Sequence, residues 1–362
     1  MQFSFAMPTT VYFGENAVAA NASALLLGKH ALVVSGKTSG RKSGAIQDVF
    51  AALEGLGVRY ESAECIGNNP DVEQCKAIGD DARAKGVDFV IGVGGGSPLD
   101  AAKAIAVFAA NDISVERSFE YGYDNGVLPI VAVPTTAGTG SEVTPWAIMT
   151  WHKIQAKKTI GGPLTFPKVA FLDLKYTRSL TPEITMSTAI DAFTHCFESV
   201  ISPKASALTD AVNLEALRHF GGCMQALEAG AFDALREELL LVSMMSGIGI
   251  ANTGTTLMHA MAYPLTYFKG VPHGAANAMV LPSYLQELQT HRSDRLGVAL
   301  DALGCSAEEL SAYARRNFAI SFSVTDEELM LWAQQTSERN PMQTTGVPGD
   351  VTHIFEVYKR LF

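Results

Sequence analysis

The first half of the chain alternates short apolar runs with stretches of helical pattern. Runs rich in β-branched residues occur at positions 30–35, 87–93 and 128–133, and helical stretches such as residues 43–56 separate them. Near-continuous apolar runs are typical of strands covered on both faces, and their alternation with helices predicts a parallel α/β sheet.

The second half of the chain has a different periodicity. After Thr181, long segments repeat apolar residues about every 3.6 positions, and few runs are β-branched. This half therefore predicts an all-helical domain. We expect an α/β domain over residues 1–178 and a helical domain over residues 179–362.

A loop rich in glycine, serine and threonine follows each of the three predicted strands. The loop sequences are SGKTSGRKSG, GGGSPLD and PTTAGTGSEVT. Ligands of parallel α/β sheets lie beyond the carboxyl ends of the strands, so these loops are the candidate ligand site of the first domain.

The second loop has the features of an anion site. Gly94, Gly95 and Gly96 end a strand, and the pattern predicts Ser97 as the N-cap of a helix with Asp100 three residues later. Exposed N–H groups at a helix N-terminus bind phosphate, although a capped helix after a tight turn explains the same residues and Ser97 breaks the GxGxxG fingerprint. The third loop adds four hydroxyl groups and so favours phosphate or ribose contacts. These hydroxyls belong to Thr135, Thr136, Thr139 and Ser141.

Four residues of the second half form a candidate metal-ligand set. Asp191 and His195 lie four residues apart on one face of a predicted helix, His259 lies on a second helix, and His273 precedes a third. Three imidazoles and one carboxylate suit a divalent first-row metal. A helix-face hydrogen bond and buried core histidines explain the same residues without a metal. Glu198 is either an acceptor that orients an imidazole or, as we expect, a solvated or interhelical charge.

Composition and charge exclude several classes of protein. The 362 residues include 27 basic and 37 acidic side chains, a net charge of −10, which disfavours nucleic acid as a partner. Five widely spaced cysteines without a CxxC pair suit a reducing cytoplasm. No signal peptide and no apolar stretch of membrane-spanning length is visible, so we expect a soluble cytoplasmic protein.

Five segments together resemble the signatures of the iron-containing (group III) alcohol dehydrogenases, and most closely the 1,3-propanediol dehydrogenase type. They are GGGSPLDAAKAIA, PTTAGTGSEVTP, DAFTHCFESVIS, GTTLMHAMAYPL and GVPHGAANAMVLP. The resemblance covers nearly the whole chain. It implies a Rossmann-like nucleotide domain followed by a helical metal-binding domain, the fold shared with dehydroquinate synthase, and it implies a homodimer through an N-terminal hairpin segment.

The resemblance also implies roles for particular residues. The four metal ligands of the family fall on Asp191, His195, His259 and His273, with Fe²⁺ expected and Zn²⁺ or another divalent ion as the alternative. The nucleotide contacts of the family fall on Gly94, Gly95, Gly96, Ser97, Asp100, Thr135, Thr136, Thr139 and Ser141, with Asn69 and Lys157 as further matches.

Two positions depart from the family pattern. Tyr263 stands where many members have a second histidine, so a tyrosine is expected to line the pocket, contact substrate and offer one route for the proton. Gly36 stands where NAD-preferring members have an aspartate. With Lys37 and Arg41 nearby, this departure favours NADP(H) over NAD(H), because a carboxylate would repel the 2′-phosphate. Solvated loop charges are the alternative for these two cations.

The expected activity is the reversible oxidation of a small primary alcohol or diol to its aldehyde or ketone, with hydride passing to a nicotinamide cofactor. A glycerol dehydrogenase or maleylacetate reductase remains an alternative oxidoreductase. A dehydroquinate synthase-like lyase and a non-enzymatic binding module are more distant alternatives. The substrate pocket is expected to include Trp146, Phe193, Tyr263 and Phe268, although each could be a core aromatic.

Overall fold

A computed structural model describes residues 2–339 and 341–362 of the chain. Within these residues the chain divides into two compact units. One unit is Met7–Thr181, and the other is Pro182–Phe362 together with the N-terminal segment that ends at Ala6. The limits drawn from periodicity, 1–178 and 179–362, differ from this division at the linker and at the N-terminus, since no periodic pattern marks the N-terminal segment.

A six-stranded parallel sheet forms the centre of the first unit, with the strand order β1-β8-β5-β4-β2-β3. A separate antiparallel hairpin is formed by β6 and β7. The strands are β1 (Thr10–Phe13), β2 (His30–Gly36), β3 (Arg59–Ile66), β4 (Phe89–Gly94), β5 (Ile130–Pro134), β6 (Ala147–Trp151), β7 (Ala156–Ile160) and β8 (Val169–Leu172).

Helices cover both faces of this sheet. Alternate residues of β2 point to opposite faces, so that Leu32 and Val34 pack in one apolar cluster and Ala31 and Val33 pack in the other. The helices of the unit are α1 (Ala17–Ala20), α2 (Ser39–Lys42), α3 (Ala45–Gly55), α4 (Val72–Ala84), α5 (Gly96–Ala110) and α6 (Val115–Ser118). The predicted parallel α/β sheet is confirmed, and β2, β4 and β5 are its three predicted strands.

Helices form the second unit, as the 3.6-residue periodicity predicted. They are α7 (Pro182–Ile201), α8 (Ala207–Glu228), α9 (Arg236–Thr253), α10 (Leu257–Lys269), α11 (His273–His291), α12 (Ser293–Leu303), α13 (Ala307–Asn317), α14 (Asp326–Ser337), α15 (Pro341–Thr345) and α16 (Val351–Lys359). Among the described residues, no helix combines the length and the apolar character needed to cross a membrane.

Candidate functional site

The order of the strands locates the candidate nucleotide site of the first unit. The chain passes from β2 to β3 on one side of the sheet, and from β4 to β5 on the other side. Ligands of open α/β sheets bind beyond the carboxyl ends of the strands where the order reverses in this way. Gly36 ends β2 and Gly94 ends β4, so both predicted residues lie at this point.

The turn between β4 and α5 requires glycine. Gly94 has φ 148°, and a Cβ atom on it would lie 2.7 Å from the ring of Pro98. A Cβ on Gly96 would lie 2.7 Å from the methyl group of Thr139, so the glycine-rich and threonine-rich loops are packed against each other. Helix α5 begins at Gly96 with Gly95 as its N-cap, and the prediction that Ser97 is the cap is wrong. The tight turn brings the chain into α5 two residues earlier than the serine suggested.

Asp100 and Ser141 hold the two loops together. One oxygen of Asp100 accepts a hydrogen bond from Ser141 Oγ at 2.6 Å, and the other accepts from the Ile148 N–H at 2.9 Å. The Lys103 ammonium donates to Ser141 Oγ at 2.6 Å, to Thr144 Oγ1 at 3.2 Å and to the Trp146 carbonyl at 2.8 Å. These side chains therefore position the loops through bonds within the protein.

Sequence reasoning missed Lys103, which is completely buried. Burial lowers the pKa of its ammonium group to about 8. Burial also raises the pKa of the neighbouring Glu142 carboxyl to about 7, and Oε1 of this carboxyl has no hydrogen-bond partner within the described part of the chain. The only signal in the sequence was the position of Lys103 on an otherwise apolar helix, where a lysine normally reaches to solvent.

Asn69, Ser97 and Lys157 form a second chain of contacts at the same strand ends. Ser97 Oγ accepts from the Asn69 N–H at 3.2 Å, and Lys157 Nζ donates to Asn69 Oδ1 at 2.8 Å. Asn69 adopts a left-handed conformation with φ 58°, which asparagine tolerates better than most residues. The three predicted positions are thus brought together from three separate segments.

The hydroxyls of the threonine-rich loop differ in their surroundings. Thr139 Oγ1 accepts from the Ser141 N–H at 3.2 Å. Thr136 is half-buried and its side chain lies beside Gly95. Thr135 is buried, and its Oγ1 has no hydrogen-bond partner among the residues that the structure describes. A buried hydroxyl without a partner costs free energy, so a ligand that bonds to it is a good fit at this position.

The two cations expected to contact a phosphate after β2, Lys37 and Arg41, differ in whether their charge is paired. Arg41 donates to both oxygens of Glu64, at 2.5 Å from Nε and 2.7 Å from Nη2, so its charge is already balanced. This contact corrects the expectation that Arg41 is a free partner for a phosphate. Lys37 is exposed, and none of the ion pairs among the described residues involves it.

Helix α7 and helix α10 build the candidate metal centre in the second unit. Asp191, His195 and His259 are all at least 94% buried, and each offers one ligand atom within 4.8 Å of the others. Asp191 Oδ1 lies 3.8 Å from His259 Nε2. Asn277, which sequence reasoning missed, donates from Nδ2 to Asp191 Oδ1 at 3.0 Å and so fixes this carboxylate. Its position on α11, four residues after His273, was the available signal.

Glu198 is completely buried, so it is not a solvated charge; it is an interhelical charge that joins α7 to α10 and also the acceptor that orients an imidazole. Its carboxylate accepts from the N–H groups of Thr256, Met258 and His259 at 3.1, 2.9 and 3.3 Å. These groups begin α10, where unpaired N–H groups and the helix dipole favour an anion. Glu198 Oε2 lies 2.5 Å from His259 Nδ1.

The contact between Glu198 and His259 sets the state of the imidazole. Burial alone would lower the pKa of His259, but the Glu198 carboxylate outweighs burial and raises it. Burial likewise opposes ionisation of Glu198, yet His259 and the hydrogen bonds from Thr256 lower the pKa of the carboxyl. A proton held on Nδ1 makes Nε2 an acceptor, which Asn277 Nδ2 approaches at 3.1 Å, and this Nε2 lone pair is the one that a metal ligand requires.

His273 and Tyr263 lie beside this cluster. The ring centroid of His273 is 5.3 Å from that of His259, and the Tyr263 ring stacks on His273 at 5.2 Å with 14° between the planes. The guanidinium carbon of Arg339 lies 4.4 Å from the centroid of the Tyr263 ring. Arg339 therefore contributes a positive charge next to Tyr263 that the sequence did not indicate.

The other aromatic residues expected in a substrate pocket have different surroundings. Phe193 is completely buried and packs on Phe197 and Phe220, so it belongs to the core of the helical unit. Phe268 is 39% exposed and stacks on Trp332. Trp146 lies beside Tyr121, with ring centroids 6.4 Å apart. The expectation of a shared aromatic pocket therefore fails for Phe193, whose face of α7 turns into the helix bundle.

Comparison with known proteins matches both units. The family model described as iron-containing alcohol dehydrogenase matches residues 8–174, and that of the C-terminal region of the Fe-containing alcohol dehydrogenase family matches residues 185–329. Lactaldehyde reductase of Escherichia coli K12 is 32% identical over 86% of this chain and 82% of its own length. The 1,3-propanediol dehydrogenase of Citrobacter freundii is 30% identical over 88% of this chain and 84% of its own length.

A solved structure of an iron-containing alcohol dehydrogenase from Thermotoga maritima has the same fold. It superposes with a TM-score of 0.92 at 35% identity and covers 99% of both chains. The superposed residues therefore include those of both units, and with them the candidate nucleotide residues of the first unit and the candidate metal ligands of the second.

Proposed function

Because the chain belongs to the iron-containing alcohol dehydrogenase family, we propose that it interconverts a small primary alcohol or diol with its aldehyde by means of a divalent metal and a nicotinamide cofactor. The observation that carries the proposal is the buried cluster of Asp191, His195 and His259, in which Glu198 holds Nδ1 of His259. We assign nucleotide binding to the first unit and metal binding to the second.

We assign Asp191, His195, His259 and His273 as the metal ligands. Three imidazole nitrogens and one carboxylate oxygen suit Fe²⁺, and also Zn²⁺. The lone pair on His259 Nε2 and the carboxylate fixed by Asn277 support the assignment. The stacking of Tyr263 on His273 fixes the plane of the third imidazole.

The metal and the cofactor supply the bond chemistry, in which a bound divalent ion polarises the alcohol oxygen and the nicotinamide accepts hydride. The chain supplies binding and orientation. Glu198 keeps His259 in the tautomer that can bind a metal, and Asn277 keeps Asp191 in place. We assign Tyr263 to substrate contact and to one route for the proton, since its ring lies against His273.

The nucleotide is proposed to bind at the ends of β2, β4 and β5. The N-terminus of α5, with Gly94, Gly95 and Gly96 at the turn, supports binding of the pyrophosphate. The unpaired Thr135 hydroxyl supports a direct contact. Thr136, Thr139, Ser97, Asn69 and Lys157 remain assigned to cofactor contact, whereas the bonds of Asp100 and Ser141 support a positioning role.

We propose a preference for NADP(H). Gly36 leaves no carboxylate at the end of β2, and a Cβ on it would lie 3.1 Å from Ser39 Oγ, so the backbone there is closely approached. Of the two cations expected to attract a 2′-phosphate, Lys37 is exposed and Arg41 is paired with Glu64. A homodimer and a cytoplasmic location remain predictions from the sequence.

A panel of small alcohols, diols and aldehydes tests the function. The protein is reconstituted with Fe²⁺ or Zn²⁺ and assayed with both cofactors by absorbance of the reduced nicotinamide. We expect metal-dependent turnover and a higher kcat/KM with NADP(H). Absence of turnover with every substrate, despite bound metal, would contradict the proposed activity, and a strong NAD(H) preference would contradict the cofactor assignment.

Substitution of His273 tests whether this residue is the fourth metal ligand. We expect His273→Ala to lose metal and activity, and we expect His219→Ala to keep both, because His219 is a half-buried histidine of the same unit that contacts Glu238. Full metal content and normal turnover in His273→Ala would refute the assignment of His273 as a ligand.

A further inference from the structure

A second cluster of potential metal ligands lies at the other end of α11. Glu287 and His291 are four residues apart near the C-terminal end of α11, and His353 lies in the first turn of α16. The three residues, named here the α11–α16 cluster, each offer one ligand atom within 4.8 Å of the others. The i, i+4 spacing places Glu287 and His291 on one face of their helix.

The distances within the cluster are close to those of a metal site. Glu287 Oε2 lies 2.7 Å from His353 Nε2 and 3.7 Å from His291 Nε2. Neighbouring ligands of a tetrahedral zinc ion lie about 3.4 Å apart, because each is about 2.1 Å from the metal. The two observed separations lie on either side of this value. Small rotations of the two partly exposed imidazoles would bring the three atoms into ligating positions.

The carboxylate of the cluster is held in the charged form. Glu287 is buried, which disfavours ionisation, yet hydrogen bonds from Arg360 and His353 outweigh burial and lower its pKa. Arg360 donates to Oε1, so Oε2 remains for the two imidazoles. Ligating carboxylates are commonly fixed in this way by an outer partner. The positive charge of Arg360 weakens cation binding, so we expect a site of moderate affinity.

Both imidazoles are open to solvent. The side chains of His291 and His353 are 30% and 28% exposed, and their ring planes meet at 77°. A metal ion can therefore enter directly, and water can complete its coordination.

The cluster is separate from the candidate catalytic centre. Glu287 lies fourteen residues after His273 on the same helix, which corresponds to about 21 Å along the axis at 1.5 Å per residue. No residue is shared between the two sets of ligands. Metal at one site therefore leaves the ligands of the other unchanged.

We propose that Glu287, His291 and His353 form a second divalent-metal site, selective for ions such as Zn²⁺, that ties α16 to α11. Two imidazoles and one carboxylate suit Zn²⁺, Ni²⁺, Co²⁺ and Cu²⁺ better than Mg²⁺ or Ca²⁺. The site joins residues 66 positions apart in the chain and so fastens the last helix of the unit. Binding to the native state alone raises thermal stability with metal concentration.

Zinc content after equilibrium dialysis tests the site. The full chain and its variants are dialysed against micromolar Zn²⁺ at neutral pH, and bound zinc is measured by mass spectrometry. We expect His291→Gln and His353→Gln to hold one zinc ion fewer per chain than the wild type. His219→Gln is the matched control, because His219 contacts Glu238 and Glu215 without a second imidazole, and it is expected to bind the wild-type amount.

Thermal unfolding gives a second readout. Zn²⁺ should raise the Tm of an Asp191→Ala variant, in which the candidate catalytic ligands are incomplete, and the rise should vanish in Asp191→Ala/His291→Gln. Equal zinc content in His291→Gln and His219→Gln would overturn the proposal and leave the cluster as an ion-pair network. An unchanged zinc-induced rise in the double variant would overturn it as well.

Discussion

Replacement of Glu198 by glutamine tests how the candidate metal centre is held. The carboxylate receives three backbone N–H groups, the Thr256 hydroxyl and Nδ1 of His259, divided between its two oxygens. Glutamine has nearly the same shape but carries one NH₂ group in place of an oxygen. Whichever oxygen is replaced, at least two donors then face another donor.

The magnitude follows from these contacts. A hydrogen bond to a charged group contributes about 1.5–3 kcal/mol, and a buried group left unpaired costs about 1–3 kcal/mol. Two disrupted contacts at Glu198 therefore predict a loss of roughly 2–4 kcal/mol in the free energy of unfolding of the metal-free protein. Because the acceptor of the His259 Nδ1 proton loses its negative charge in either orientation of the amide, we expect the metal affinity to fall by about 10- to 100-fold.

Two measurements check this prediction. Urea unfolding of the metal-free protein gives the change in stability, and competition with a chelator gives the change in metal affinity. Glu228→Gln is the matched control, since Glu228 contacts Arg316 at an exposed position, where an ion pair adds little to stability. Wild-type stability and metal affinity in Glu198→Gln would refute the role given to this carboxylate.

Three further predictions concern the first unit. Lys103→Met should raise the KM for the cofactor with a smaller change in kcat, because the loops lose three hydrogen bonds, and steady-state kinetics check this. Folding favours the neutral form of the Glu142 carboxyl, whose pKa rises from 4.5 to about 7. The contribution of this side chain to the free energy of unfolding is therefore complete below pH 4.5 and is lost as the pH rises through about 7. Between pH 5 and pH 8, the free energy of unfolding of Glu142→Gln should therefore rise by roughly 3 kcal/mol relative to that of the wild type, as measured by urea unfolding. A difference that does not change with pH would contradict the raised pKa of Glu142. Lys37→Ala should raise the KM for NADP⁺ more than that for NAD⁺, whereas Lys42→Ala should affect neither, and equal effects of the two variants would remove Lys37 from the cofactor site.

The apolar pattern predicted the centre of the sheet but not its edges. Strand β3 escaped prediction because Arg59, Glu61 and Glu64 interrupt its apolar residues, as an edge strand beside solvent permits. Strand β8 is an apolar run of only four residues, too short to be told from part of a buried helix, and two adjacent lysines interrupt the apolar pattern of β7. Helices in the second half were easier to predict because their periodicity extends over longer segments.

The candidate metal ligands could be predicted from the sequence more fully than the residues that surround them. Spacing on α7 was sufficient to associate Asp191 with His195. It could not reveal that Glu198 receives the first N–H groups of α10, because these lie about 60 positions away in the chain. The pairing of Arg41 with Glu64 depends on the register of β3, which was itself not predicted. Such contacts arise from tertiary packing, which no local pattern encodes.

Anomalous X-ray diffraction from crystals of the iron-reconstituted enzyme tests the central claim most directly. An anomalous peak at the iron edge should lie about 2.0–2.2 Å from Asp191, His195, His259 and His273, the distances expected for nitrogen and oxygen ligands of a first-row metal. An active enzyme whose iron peak lies away from Asp191 and His259, or is missing, would contradict the account.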